Sequence, residues 1–480
     1  MNRRMVFYMT GQIVKLEAAV LLLPLLVAVI YQEACLWAIL ATIGIALVLG
    51  FALTLISRPK SQVIFAREGF VIVALSWLAL SAVGALPFFL SGEIPHYIDA
   101  IFETVSGFTT TGASILTDIE SMSRGLLFWR SFTHWIGGMG VLVLIMAIVP
   151  SVSGRNMHIL RAEMPGPVVG KLMPRIRDTA KILYIIYLAM TAVLVILLLC
   201  GGMPLFDSIL HAFGAAGTGG FGIKADSIAG YSPYLQWVIG VSMLAFGINF
   251  NLYYLILARQ AKTAFKSREL WLYAAIVVVA TAIVSFNIAP QMNGGEETVR
   301  TAFFQVSSII TTTGYSTADF NLWPGLSKGV LFALMFLGGC AGSTAGGLKV
   351  SRAMMLFSTA RRDLRRLLHP RSVGVIKMEG KRLDEASITG ASAYLVLYII
   401  LFASGCLLLC FEPFGIETNL SAMAACFNNV GPGFDLVGPA ASYAAYSPLS
   451  KLALSFAMLF GRLEIYPMLF MFIPSTWTKK

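Results

Sequence analysis

The sequence predicts an all-α polytopic membrane protein, with four parallel span–pore loop–span repeats around a central pore and two extra N-terminal helices. Three observations predict it. Of 480 residues, 57% are hydrophobic and only 12% charged, half the ~25% of an ordinary soluble chain, and mean hydropathy is +0.79. Ten apolar runs approach or exceed the ~20 residues that a helix needs to cross the hydrocarbon layer. Among them lie four shorter, semi-polar segments that end in threonine, asparagine and glycine and recur along the chain.

Other classes are excluded by the same composition. Disorder requires low hydrophobicity and high charge. The six cysteines lie mostly inside apolar stretches without C-x-x-C spacing, so packing explains them better than a disulfide framework. The apolar run near the N-terminus is long and lacks a small-residue cleavage site, which marks a retained first span rather than a signal peptide. No catalytic constellation is present. The five histidines form no metal-spaced pair, and GTGGFG at 217–222 opens no βαβ unit, so neither an enzyme nor a cofactor is expected.

In chain order, residues 1–66 hold two spans, near 13–32 and 35–56. The first repeat (67–181) has spans at 69–90 and 124–149 around YIDAIFETVSGFTTTGAS. In the second (182–269), spans at 182–201 and 234–257 flank PLFDSILHAFGAAGTGGFG. The third (270–385) places TVRTAFFQVSSIITTTGYST between 270–290 and 328–347, and ends in a basic segment. The fourth (386–480) has spans at 387–411 and 448–474 around ETNLSAMAACFNNVGPGF. The glycines Gly112, Gly219, Gly314 and Gly431 stand 107, 95 and 117 residues apart. A repeat of this kind outweighs any single motif.

Charge fixes the topology. If the four short segments enter and leave on one side, 28 basic residues fall on the same face. If they crossed, basic clusters would alternate between faces, against the positive-inside rule. Both ends of each repeat are then cytoplasmic, so the repeats are parallel and enclose one path. An ion-coupled secondary transporter, the alternative, usually shows inverted repeats and a midplane pocket. An intramembrane hydrolase would need a nucleophile and base that are absent.

Non-helical backbone at membrane depth survives only where protein buries it or water lines it. Four such loops around one axis present carbonyls that replace the hydration shell of a monovalent cation. Glycine permits the positive φ and close approach this needs, and each preceding short helix points its negative end at the ring. The stretch 338–349 (GGCAGSTAGGLK) is not a phosphate loop, because no Ser/Thr follows Lys349 and no strand–loop–helix unit surrounds it. Its small residues hold a helix poorly, so it reads as a broken, movable segment under the loops. Arg462, within the last span, costs roughly 2.5–3.5 kcal/mol on insertion scales. It is read as facing the bundle interior, with an ion pair to Glu464 as the alternative. Arg130, nearer a span end, is expected to snorkel.

Motifs along nearly the whole chain resemble one family. REGF at 67–70, VGALPF at 83–88, SGFTTTGA at 106–113, GGMG at 137–140, RAEMPGP at 161–167, FFQV at 303–306, GGCAGST at 338–344, GGLKV at 346–350, NNVGPG at 428–433 and FGRLE at 460–464 are similar to the membrane subunit of bacterial Trk-type potassium uptake systems. This is the TrkH/TrkG family of the Trk/Ktr/HKT superfamily. The resemblance implies K⁺ at a filter formed by Thr109, Thr110, Thr111, Gly112, Gly217, Thr218, Gly219, Thr311, Thr312, Thr313, Gly314, Asn428, Asn429, Val430 and Gly431. It also implies an intramembrane gating loop of Gly338, Gly339, Cys340, Ala341, Gly342, Ser343, Thr344, Ala345, Gly346, Gly347 and Lys349, with Arg462 facing the pore beside it. A homodimer, a cytosolic nucleotide-binding TrkA-type subunit, the bacterial inner membrane and cytoplasmic termini follow from the same resemblance.

The net charge of +11 therefore does not indicate nucleic acid. The Arg-rich stretch 358–372 faces the cytoplasm, where anionic lipid headgroups or the partner subunit would meet it. Outside, acids outnumber bases, and an acidic outer mouth that concentrates cations is expected.

Overall fold

The structure, a computed structural model, describes residues 1–59, 65–140, 176–292, 294–371 and 374–478. RAEMPGP at 161–167, the end of the run 124–149 and the basic residues Lys60, Arg155, Arg161, Lys171, Arg175, Lys479 and Lys480 lie outside them.

Six of the ten apolar runs are helices long and apolar enough to span: Arg3–Ile30, Leu36–Ile56, Ala66–Leu90, Asp178–Cys200, Arg268–Gln291 and Glu385–Leu409. These are the two leading helices and the incoming span of every repeat. Several of them expose large apolar side chains, among them Trp37, Ile56, Phe286 and Leu407, as helices facing lipid do.

The other four runs correct the count of ten. Each outgoing helix stops after 13–16 residues: Arg124–Met139, Pro233–Phe246, Gly325–Leu337 and Pro448–Arg462. At 1.5 Å per residue they reach about 20–24 Å, short of the ~30 Å hydrocarbon layer. The means of stopping differ. Gly140 (φ 86°) and Gly338 (φ 72°) take left-handed conformations. After Gly247 the second turns by 91° into Phe250–Leu257, where Asn249 accepts from the Asn251 amide at 2.9 Å. The fourth turns through Glu464 (φ 58°) and Ile465 (φ 67°) into Tyr466–Phe472. Only the third break was expected, because FNLYYLIL and YPMLFMF remain apolar past the others and hydropathy runs straight through.

Between incoming and outgoing helices sit the four short ones, Tyr97–Phe108, Leu205–Gly217, Gly295–Ile310 and Ile416–Phe427. None is long enough to cross. They form the centre of the protein, with Phe102, Phe108 and Phe304 fully buried. The one β element among the described residues is a two-residue hairpin pairing Lys377–Met378 with Lys381–Arg382.

Glu17, in the first of the spanning helices, belongs to this interior. It is 3% exposed, and shares a small cavity with Leu80, Phe108, Trp129 and Ile136. Neither carboxyl oxygen has a hydrogen-bond partner among the described residues. An unpartnered buried polar group costs about 1–3 kcal/mol by mutational measure. Glu17→Met should therefore raise the thermal midpoint in detergent by a few degrees. A lowered midpoint would mean that the carboxyl has a partner in the working protein.

Candidate functional site

The four short helices end in the same way. A left-handed residue follows each: Thr110 (φ 54°), Thr218 (56°), Thr312 (56°) and Asn429 (57°). The next amide then returns to the carbonyl five residues back, Thr111 to Ser106 at 2.9 Å and Gly219 to Gly214, Thr313 to Ser308 and Val430 to Ala425 at 2.8 Å. A positive-φ glycine comes next: Gly112 (82°), Gly220 (76°), Gly314 (88°) and Gly431 (98°). β-Branched threonine rarely adopts this conformation, and strain of about 1–3 kcal/mol per residue persists only where the surroundings over-determine it.

That register differs by one residue from the glycine spacing. In the second loop Gly220, not Gly219, is the counterpart of Gly112, Gly314 and Gly431. Gly219 stands with Thr111, Thr313 and Val430, and Gly217 with Thr109, Thr311 and Asn428. The loops also form a closed ring. A Cβ on Gly112 would strike the Gly219 carbonyl oxygen, one on Gly220 that of Thr313, one on Gly314 that of Val430, and one on Gly431 that of Thr111. First touches second, second touches third, third touches fourth, and fourth touches first.

Each junction carries a clamp that sequence reasoning missed. His134 contacts the Gly107 carbonyl through Nδ1 at 2.8 Å and accepts the Phe221 amide at Nε2 at 3.3 Å, joining loops one and two. Between the second and third, the Ile228 amide donates to Ser316 O at 3.0 Å, and the Tyr315 hydroxyl reaches Phe221 O at 3.4 Å. Asn321 exchanges two bonds with the Asp435 backbone. The Tyr443 amide donates to Ser114 O at 2.8 Å and its hydroxyl to Gly431 O at 2.8 Å. The repeats use different residue types for the same task, so no shared motif marks them. Inside the loops, the Thr109–Thr111 and Thr311–Thr313 hydroxyls pair at 2.8 and 2.7 Å, and Tyr398 donates to Asn428 Oδ1 at 2.6 Å.

Residues 338–349 lie against one side of this ring. The Gly346 amide donates to Thr312 Oγ1 at 2.6 Å and the Gly347 amide to Asn428 O at 3.1 Å. The segment docks in the bend of the second outgoing helix. There Cys340 N meets Gly247 O at 2.9 Å, Phe250 N meets Gly342 O at 3.0 Å, and Thr344 Oγ1 meets Phe246 O at 3.2 Å. Glu269 Oε1 accepts from the Ala341 and Ser351 amides at 2.7 and 3.1 Å. Small residues are required because backbone packs on backbone: Cβ atoms on Gly338 and Gly346 would overlap carbonyl oxygens. Gly339 and Gly342 sit against Gly247 and Asn249. Ser343 Oγ donates to Cys340 O at 2.6 Å, and the Lys349 ammonium donates to Ala345 O.

Arg462 ties this segment to the broken end of the first outgoing helix. Its guanidinium donates to Thr344 O at 2.8 Å, and to Gly137 O and Gly138 O at 2.5 and 2.6 Å. The last carbonyls of a helix lack intrahelical donors and carry its negative end, so a break supplies what an interior arginine needs. Glu464, the alternative partner, is held by Arg352 at 2.7 Å.

The ring's other side opens into a funnel whose lining includes Gly112, Gly220, Gly314 and Gly431. No carboxylate lines the funnel itself; the acids expected at the outer mouth stand outside it, with Asp118, Glu120 and Asp226 exposed on the adjoining loops. Arg130 does not snorkel. It is 2% exposed, sits 2.6 Å from Glu103, donates to Gly222 O at 2.8 Å and lies 3.5 Å over the Phe221 ring. Glu103 also accepts from Ser114 Oγ at 2.9 Å and Ile115 N at 3.0 Å, which fixes the chain leaving the first loop. Asp99 is paired with Lys451, Glu417 with Lys328 and Glu296 with Arg300.

Carbonyls at the converging ends of four helices suit a dehydrated monovalent cation, and a funnel meets them from one side. Fold and site together define a polytopic, all-helical membrane transport protein. Residues 37–479 match the TrkH family model, described as cation transport protein. The chain is 37% identical to the Trk system potassium uptake protein TrkH of Salmonella typhimurium, over 99% of this chain and 100% of that one. It is 32% identical to TrkG of Escherichia coli, over 99% and 98%. The crystal structure of the potassium transporter TrkH from Vibrio parahaemolyticus superposes with a TM-score of 0.89 at 31% identity, covering all of both chains. The chain belongs to the TrkH family of cation transport proteins, and is a multi-pass protein of the bacterial inner membrane.

Removing one partner of a buried ion pair costs about 3–5 kcal/mol, whereas replacing both by apolar groups is often neutral. Glu103→Gln should markedly lower the thermal midpoint in detergent, and Arg130→Met with Glu103→Leu should recover most of it. A double variant as unstable as the single one would show that the bonds of Glu103 to Ser114 and Ile115, rather than the pair, hold this region.

Proposed function

We propose that the chain carries potassium inward through a central pore, with the ring of four loops as its selectivity filter. The observation that supports this most is the closed ring itself, in which four loops share one backbone register and each seats its glycine on the next loop's carbonyl. Two buried side-chain oxygens of the ring, Thr110 Oγ1 and Asn429 Oδ1, lack a partner among the described residues, and are free to meet a permeating ion or its water. Relatives across the whole length are named potassium uptake proteins. A membrane potential of 100 mV supplies ~2.3 kcal/mol per charge for inward movement.

In this reading residues 338–349 form the gate. They lie under the ring, and Arg462 holds them by Thr344. A fixed guanidinium there opposes cation passage until the segment moves. The homodimer, and a cytosolic TrkA-type nucleotide-binding subunit docking near the Arg-rich helix Val350–Leu368, belong to the same proposal. That helix runs directly out of the gate segment, so force applied to it reaches the gate.

Rubidium and sodium flux into vesicles tests the filter. Gly220→Ser, which forces a side chain onto the Thr313 carbonyl, should abolish or strongly reduce rubidium flux. Gly219→Ser, which meets the His134 ring instead, should alter the rubidium-to-sodium ratio. Unchanged fluxes and ratio in both variants would sink the filter assignment. For the gate, Arg462→Ala should raise resting cation leak several-fold; an unaltered leak would leave Arg462 a structural clasp only.

A further inference from the structure

The funnel above the ring contains two cationic side chains and no carboxylate. The two are not equivalent. Arg130 is neutralised by Glu103 and locked over Phe221. Lys224 has no ion-pair partner among the described residues, and its ammonium rests 4.3 Å from the centre of the Tyr231 ring. Tyr231 is itself fixed, its hydroxyl donating to Asp207 at 2.8 Å. Lys224 is thus a half-buried charge held on the funnel wall together with the four ring glycines. Of the acids on the adjoining loops, Asp118 accepts from the Ser121 amide and Glu120 from the Ala225 amide; these two and Asp226 are exposed and do not line the funnel.

We infer that Lys224 is a specificity-determining residue of the outer entrance, a fixed positive charge that keeps divalent cations from the filter while monovalent ones pass. The inference rests on the proposed pore. Its physics lies in the valence: the work of approaching a fixed charge scales with the charge of the ion. A potential that lowers the local concentration of a monovalent cation by some factor lowers that of a divalent one by the square. Exposed carboxylates at the rim act oppositely and enrich divalents most. An inner ammonium behind an acidic rim therefore reverses a preference that the rim alone would impose. Because Arg130 is already paired, Lys224 is the side chain in the funnel wall left to do this.

The test is rubidium uptake into vesicles at low ionic strength with magnesium titrated on the funnel side. Lys224→Gln should raise rubidium flux without magnesium about threefold, and lower the half-inhibiting magnesium concentration about tenfold, the square of the monovalent effect. Lys224→Arg, which keeps the charge, should retain the wild-type magnesium response. Near 1 M inert salt, where screening acts within ~3 Å, the difference between Lys224→Gln and wild type should vanish. An unchanged magnesium response in Lys224→Gln at low salt, alongside a Gly220→Ser variant that has lost its flux, would overturn the inference and leave the pore standing. If Gly220→Ser and Gly219→Ser both keep wild-type fluxes and ratio, the filter reading itself fails.

Discussion

Backbone amides and carbonyls at membrane depth have no water to bind, and this constraint governs the architecture. A chain that leaves helical conformation inside the bilayer must find a partner for every freed group. The four loops find the same one. A left-handed residue lets the following amide turn back five residues, and the carbonyl of the turn lies against the glycine of the neighbouring loop. Glycine follows because the next loop's carbonyl occupies the place of its Cβ. The strained threonines and the close-set glycines are two consequences of a single demand. Neither could be exchanged without reopening the other.

The same demand explains why all four outgoing helices break. A helix that stops short exposes its last carbonyls, and the first three breaks are closed by residues beyond the helix itself. Gly137 and Gly138 receive Arg462. Phe246 and Gly247 receive Thr344 and Cys340 from the segment under the ring. Gly338 is folded against Gly346. The segment 338–349 is therefore held by groups that the broken helices themselves leave open, and by Glu269 from an intact span. Its bonds are individually ordinary hydrogen bonds, each contributing of the order of 1 kcal/mol. That is strong enough to hold one arrangement and weak enough to exchange for another.

Much of this was legible in the sequence. Composition fixed the membrane class, the recurrence of short Thr/Asn/Gly-ended segments marked the loops, and the distribution of lysine and arginine argued for parallel repeats. What could not be read has identifiable causes. GTGG offers two adjacent glycines after Thr218, and only backbone conformation chooses Gly220 over Gly219. Breaks at Gly140, Gly247 and Leu463 are silent because apolar residues continue beyond them. Arg130 and Glu103 are 27 residues apart, on different helices, so each looked like a separate surface charge. His134 clamps two loops through hydrogen bonds to backbone alone, and such bonds leave no trace in side-chain patterns.

Charge was the feature most easily misjudged. A count of acids on the outer side implies a negative funnel, yet most of those acids serve the architecture. Glu103 sets the exit of the first loop, Asp435 accepts from Thr418 beside the fourth, and Glu33 accepts the Arg124 and Gly125 amides where an outgoing helix begins. A carboxylate paired with a guanidinium or ammonium contributes little field at a distance, because its partner's charge opposes it, whereas one bound only to amides or hydroxyls keeps its charge. The field in the entrance is set by the charges left over. Formal charge by region is suited to an argument about topology, since the positive-inside rule concerns lysine and arginine alone. It predicts local potential poorly, since potential depends on which charges remain unpaired.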